Sequence, residues 1–138
     1  YYVNDGTTDI SGAELSLETV LLGMDITTKI DYNKSIDKAT KKQKGRRPNR
    51  SISLNLSKTS GKWKRSINWI AKSRAWDKNS ETTKLGGYGL LNLSTSYDFT
   101  EDLTVYLNRN NALDKDYEMA RGYNTHGKTT TLGLTYNF

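Results

Sequence analysis

The stretch "TLGLTYNF", residues 131–138, decides the fold. Leu132, Leu134, Tyr136 and Phe138 fall on one parity, while Thr131, Gly133, Thr135 and Asn137 fall on the other. Successive side chains of an extended chain point to opposite sides, so this alternation describes a strand with one oily and one wet face. Unanchored chain ends keep their conformational freedom and are commonly polar. An aromatic residue at the last position leads to the expectation of a strand anchored to its final atom.

The same period of two recurs along the chain. It is present in "AELSLETVL" (13–21), "MDITTKIDYNK" (24–34), "SISLNLS" (51–57), "WKRSINWIA" (63–71), "LLNLSTSYDF" (90–99), "LTVYLNRN" (103–110) and "KTTTLGLTYNF" (128–138). Seven strands are predicted, with a remnant of an eighth at Tyr1–Val3. The connections alternate as well. Short ones at 22–23, 59–62 and 100–102 take turns with long polar ones at 35–49, 74–87 and 117–127. A soluble up-and-down barrel or meander can place tight turns at one end and long loops at the other, but this is the habitual asymmetry of outer-membrane barrels.

Side-chain chemistry points the same way. Trp63, Tyr97, Phe99, Tyr136 and Phe138 sit beside the short turns on the apolar parity, which reads as an interfacial girdle. The opposite parity carries Glu14, Glu18, Asp25, Lys29, Asp31, Asn55, Thr104, Asn108, Thr129, Thr131 and Asn137. A packed sandwich core could not accept that face, whereas a water-filled barrel interior could. Arg109 is the exception, a cation on the parity of Leu103, Val105 and Leu107.

Composition agrees with a polar, thin-cored β-protein: 34% of the 138 residues are apolar. No stretch is long and apolar enough for a membrane-spanning helix, a test that does not bear on spanning strands. The chain has no cysteine and one histidine, which excludes thiol catalysis, disulfides and histidine-cluster metal sites. Nothing resembles a catalytic triad, a phosphate loop or a glycosidase carboxylate pair, so no catalytic residue, metal or cofactor is expected. "DKDYE" (114–118) lacks the glycine and distal glutamate of a calcium loop and reads as a strand-to-loop joint. The net charge of +6 is concentrated in "KATKKQKGRRPNR" (38–50), read as a solvated loop or as a phosphate- or nucleic-acid-binding one. The first residue is Tyr, not Met, from which an upstream start is expected.

"NALDKDYE" (111–118), "GYNTHGK" (122–128) and "LGLTYNF" (132–138) resemble the C-terminal end of TonB-dependent outer-membrane receptors. "ISGAE" (10–14), "RRPNRSISLNLS" (46–57) and "GGYGLLNLSTSYDFTEDLTV" (86–105) fit in order and spacing. The segment Tyr123–Lys128 is similar to the vitamin B12 (cobalamin) receptor branch. Ala112 and Leu113 depart from the Leu-Phe common in the family.

The resemblance implies an all-β, antiparallel up-and-down transmembrane barrel. Residues 1–138 would be the C-terminal part of a barrel of roughly 22 strands, with the plug domain lying outside them. It implies uptake of cobalamin or a siderophore-like metal chelate across the outer membrane of a Gram-negative bacterium, with no cofactor of its own. Implied partners are the barrel-assembly machinery, a TonB-type energy-transducing protein acting through the plug, outer-membrane lipid and lipopolysaccharide. Thr131, Gly133, Tyr136 and Phe138 match the barrel-assembly signal, read by strand addition at an edge. Ligand contacts from the long loops fall to Tyr123, Asn124 and His126, with Trp76 and Arg46 behind them. The alternatives are a small or truncated barrel with a structural role, and a soluble basic β-domain binding nucleic acid; the girdle disfavours the latter.

Overall fold

The computed structural model describes residues 6–138. Seven long strands form one sheet: β1 (Thr8–Leu21), β2 (Met24–Asp37), β3 (Arg50–Ser60), β4 (Trp63–Lys72), β7 (Tyr88–Asp98), β8 (Leu103–Asn110) and β11 (Thr129–Tyr136). Four short strands lie in the long connections: β5 (Ala75–Trp76), β6 (Lys84–Leu85), β9 (Glu118–Ala120) and β10 (Tyr123–Asn124). The sheet runs β1-β2-β3-β4-β7-β8-β11, antiparallel throughout, so each strand pairs with its predecessor in the meander. Its outer edges are β1 and β11. The seven expected strands are all present; the expected remnant at Tyr1–Val3 lies outside the described residues.

The turns follow from local chemistry. Leu22 and Gly23 both take positive φ, 53° and 69°, as the two centre positions of a type I′ hairpin require. In the next turn Gly61 takes φ 58° ahead of Lys62, the placement favoured by type II′. At 99–102 the Thr100 hydroxyl accepts the N–H groups of Asp102 (3.2 Å) and Leu103 (2.9 Å), closing the third short turn.

Register separates the faces. Directly paired residues share a face, so the rungs Leu17–Thr28–Leu54–Trp69–Leu91 and Leu56–Ile67–Leu93–Arg109–Thr130 run across one side. Rungs such as Glu18–Thr27–Asn55–Asn68–Asn92 and Ser57–Ser66–Ser94–Asn108–Thr131 run across the other. On that polar side Asn92 Nδ2 donates to Asn68 Oδ1 (3.3 Å) and Ser94 Oγ to Asn108 Oδ1 (2.6 Å). The Thr104 hydroxyl donates to Asp98 at 2.7 Å in the same way.

The aromatic residues beside the short turns form two contact groups, Trp63–Tyr97–Phe99 and Tyr136–Phe138. Ring centroids of Trp63 and Tyr97 lie 4.8 Å apart, as do those of Tyr97 and Phe99, while Tyr136 and Phe138 are 6.3 Å apart. The Arg65 guanidinium covers the Trp63 ring at 5.2 Å. Arg109 lies on the apolar side, as its parity requires, and donates to the Thr130 hydroxyl at 2.7 Å. A described sheet with one oily and one polar face has no core of its own. Among the described residues the buried apolar ones, Ala75 and Leu85, belong to the long loops instead.

Candidate functional site

The hairpin β1–β2 is 14 residues long on each side, against about 10 for a tilted membrane crossing. The surplus extends toward the long loops and carries the first of them. Residues 38–49 fold back on β2: Lys44 N–H donates to Ser35 O (2.9 Å), and the Lys44 ammonium meets Asp37 at 3.1 Å, both side chains nearly buried. Arg47 reaches the Ser35 hydroxyl at 3.0 Å. A basic stretch that looked like a solvated loop is therefore held by paired charge and backbone bonds.

This first loop is stitched to the second, residues 73–87. The Gln43 N–H donates to Glu81 at 2.7 Å, the Gly45 N–H to Asn79 Oδ1 at 2.7 Å, and the Arg46 N–H to Trp76 O. Gly45 is required by proximity, since a Cβ there would sit 2.7 Å from Asp77 O and 2.9 Å from Lys78. Within the second loop β5 pairs with β6, and the Lys84 ammonium lies 4.8 Å over the Trp76 ring.

The third loop, residues 111–128, is closed by its own polar groups. Asn111 donates to Lys115 O and accepts the Lys115 N–H, both at 2.9 Å. Asp114 accepts the Lys128 N–H (2.9 Å) and pairs with its ammonium (3.0 Å), so "DKDYE" acts as the expected structural joint. These two Lys128 contacts hold the Asp114 carboxyl below its usual range. The rings of Tyr88 and Tyr117, 4.4 Å apart, seat the loop on the start of β7.

All three loops meet at Asp77. Its buried carboxylate accepts the Arg46 Nε–H and the Arg121 backbone N–H, each at 3.1 Å. The Arg121 amide, followed by the Arg46 guanidinium, holds the Asp77 carboxyl below its usual range. Asp77 carries no sequence motif. Its partners lie 31 and 44 residues away, so no local pattern could have singled it out.

The five sequence-derived ligand candidates are not brought into one pocket. Trp76 lines a concavity of about 370 Å³ with Tyr32, Arg50, Arg74 and Lys84. Asn124 lines a different one with Asp116, Tyr117, Glu118 and Thr125. Arg46 lies between them, along a narrow cleft with Leu85, Tyr88 and Met119. Tyr123 is 72% exposed in the β9–β10 hairpin, and His126 lies just beyond it. What the arrangement offers is a cross-linked loop platform with two chemically different surfaces, one basic and aromatic, the other acidic and amide-bearing. Among the described residues no group of acidic or histidine side chains could hold a metal ion. The residues that the sequence reading assigned to an assembly signal divide between faces: Thr131 and Gly133 on the polar side, Tyr136 on the apolar side with Leu132 and Leu134, and Phe138 beyond the end of β11.

Comparison with known proteins places this geometry. The family described as "TonB dependent receptor-like, beta-barrel" matches residues 1–112. The vitamin B12 transporter BtuB of Photobacterium profundum is 31% identical over 138 residues, which cover 99% of this chain and 22% of that transporter. Among solved structures, the copper transporter OprC superposes with a TM-score of 0.81 at 17% identity, over 95% of this chain and 24% of OprC. The pyoverdine outer membrane receptor FpvA from Pseudomonas aeruginosa PAO1 gives 0.76 at 17% identity, over 95% and 22%. These structures share the fold. The chain spans less than a quarter of the length of each of these relatives.

Proposed function

The chain belongs to the TonB-dependent receptor-like β-barrel family, and from that membership we propose that it is the C-terminal wall of an outer-membrane importer. The observation that carries the reading is the division of one sheet into an apolar face with an aromatic girdle and a polar face, capped at one end by three interlocked loops. The apolar face would meet lipid, the polar face a water-filled lumen, and the loop platform the outside.

The cargo class is cobalamin or a metal chelate. The likeness to BtuB over nearly the whole chain supports the first, and the fold shared with FpvA is compatible with the second. Loop residues Tyr123, Asn124 and His126 would touch the cargo, with Trp76 and Arg46 shaping the platform behind them. Capture outside would be followed by rearrangement of a plug supplied by the rest of the receptor, driven by a TonB-type partner. Assembly would proceed through capture of β11 by the barrel-assembly machinery, using Thr131, Gly133, Tyr136 and Phe138.

The test is titration of the full-length receptor, in detergent, with cyanocobalamin and separately with a ferric siderophore. Saturable binding of one, weakened about tenfold or more by Tyr123→Ala or His126→Ala, supports the reading. Binding of neither, by a receptor that is folded and heat-modifiable on a gel, overturns the cargo class.

A further inference from the structure

The polar face of the sheet is not uniform. On the β1–β2 hairpin it is charged: Glu14 pairs directly with Asp31, Lys29 follows, and Glu18 and Asp25 lie nearer the turn. Across β4, β7 and β8 the same face changes character. The rungs Asn68–Asn92 and Ser66–Ser94–Asn108 hold only amides and hydroxyls. On the next rung toward the long loops Ile70 pairs with Leu90, two apolar side chains that the alternation places on the polar face. From that rung to Ser66–Ser94–Asn108 no side chain on this part of the face is charged.

The polar groups of this strip are bonded to one another. Asn92 donates to Asn68 and Ser94 to Asn108, while Asn92 Oδ1 accepts the Asn111 N–H at 3.0 Å. The first charged groups toward the short turns, Lys64 and Asp98, pair with each other at 3.1 Å. A wall of short, neutral, mutually bonded groups holds a passing molecule weakly and at many points, which is what passage requires. The carboxylates on β1–β2 bind water and counter-ions more strongly. The head of the strip lies under the third loop. Ala112 N–H donates to Leu91 O at 2.7 Å, and the Tyr117 ring packs on Tyr88, whose rung with Lys72 follows Ile70–Leu90. That loop carries Tyr123, Asn124 and His126.

We propose that the polar face of β4, β7 and β8 is the track along which cargo descends from the third loop. It crosses the Ile70–Leu90 step, passes Asn68–Asn92 and Ser66–Ser94, and leaves at the Lys64–Asp98 pair. The lining fits a bulky cargo of low net charge, with amide or hydroxyl groups for the strip and an apolar flank for the step. Two features select cargo over the plug as the occupant. The strip starts beneath the loop that carries three of the ligand candidates, and its Asn68–Asn92 and Ser94–Asn108 bonds are made within the wall. The inference rests on the importer reading above and deepens it by choosing one sector of the lumen and a neutral, amide-bearing cargo.

The experiment uses the full-length receptor in energised cells, each variant carrying one introduced thiol as its sole cysteine. Ser66→Cys and Ser94→Cys place the thiol on the track. Asp25→Cys shares their rung on the β1–β2 side, and Thr27→Cys lies on the next. Each is labelled with a bulky methanethiosulfonate, and binding and uptake of radiolabelled cyanocobalamin are read separately. Adducts on the track should slow uptake about tenfold or more, leave binding unchanged, and be reversed by reductant. Adducts at positions 25 and 27 should leave uptake unchanged. Equal slowing from both sectors, or none from the track, overturns the proposal and leaves the importer reading intact. Loss of binding together with uptake, or a track thiol that stays unreactive, overturns it in favour of a face covered by the plug. Neither binding nor uptake by the unlabelled receptor overturns both readings.

Discussion

The ring of Tyr106 lies across the backbone of Gly133 on the neighbouring strand. A Cβ on that glycine would overlap the Tyr106 Oη and Cζ and come within 2.9 Å of Cε1. Gly133, read from the sequence as part of an assembly signal, thus has a folded-state reason: it lets an aromatic side chain cover the β8–β11 pair from the polar side. Gly133→Ala is expected to destabilise the barrel by about 1–3 kcal/mol through overpacking. Adding Tyr106→Ala should recover part of that loss, since the clash needs both partners. Denaturant midpoints of the full-length barrel in lipid vesicles would check it; additive losses would sink the idea.

Asp77 joins three loops, so its removal should free all three together. Asp77→Ala leaves the Arg121 N–H and the Arg46 guanidinium without their acceptor. The expected result is protease nicking within 38–49, 73–87 and 111–128 that is roughly tenfold faster, with the sheet intact. Nicking of the second loop alone would show that the loops are held independently.

The same carboxylate sets a pH window. Its folded pKa is depressed by the Arg121 amide and the Arg46 guanidinium, so its contribution to loop docking is fully present above the ordinary carboxylate value of about 4. That contribution is lost as pH falls through the lower folded value. Asp114, depressed by its Lys128 contacts, follows the same sign. Loop protease sensitivity should therefore be flat from neutrality to about pH 5 and rise below about 4. Asp77→Asn should remove much of that acid dependence; an unchanged profile would count against the assignment.

Arg109 interrupts the apolar face between Leu93 and Thr130. Its bond to Thr130 satisfies only part of the guanidinium. Arg109→Leu is expected to stabilise the barrel in bilayers, by about 1 kcal/mol near an interface and about 2–4 kcal/mol at mid-depth. A lower unfolding midpoint for the variant would mean that another protein group covers this strand.

What the sequence by itself determined is what repeats over two residues. The seven long strands, the assignment of Leu54, Trp69 and Leu91 to one face and Asn55, Asn68 and Asn92 to the other, the girdle and the odd placement of Arg109 all follow from alternation. A strand exposes its faces by local geometry alone. The short turns were legible for the same reason, since Gly23 and Gly61 mark backbone positions that need positive φ. The loops were another matter. The short strands β5, β6, β9 and β10, the burial of Lys44 against Asp37, the convergence on Asp77 and the gathering of Arg50, Arg74 and Lys84 depend on which distant segments the sheet sets side by side. The convergence on Asp77 joins residues 31 and 44 positions apart, and no local period encodes it; only the order of strands in the folded sheet decides that those loops meet.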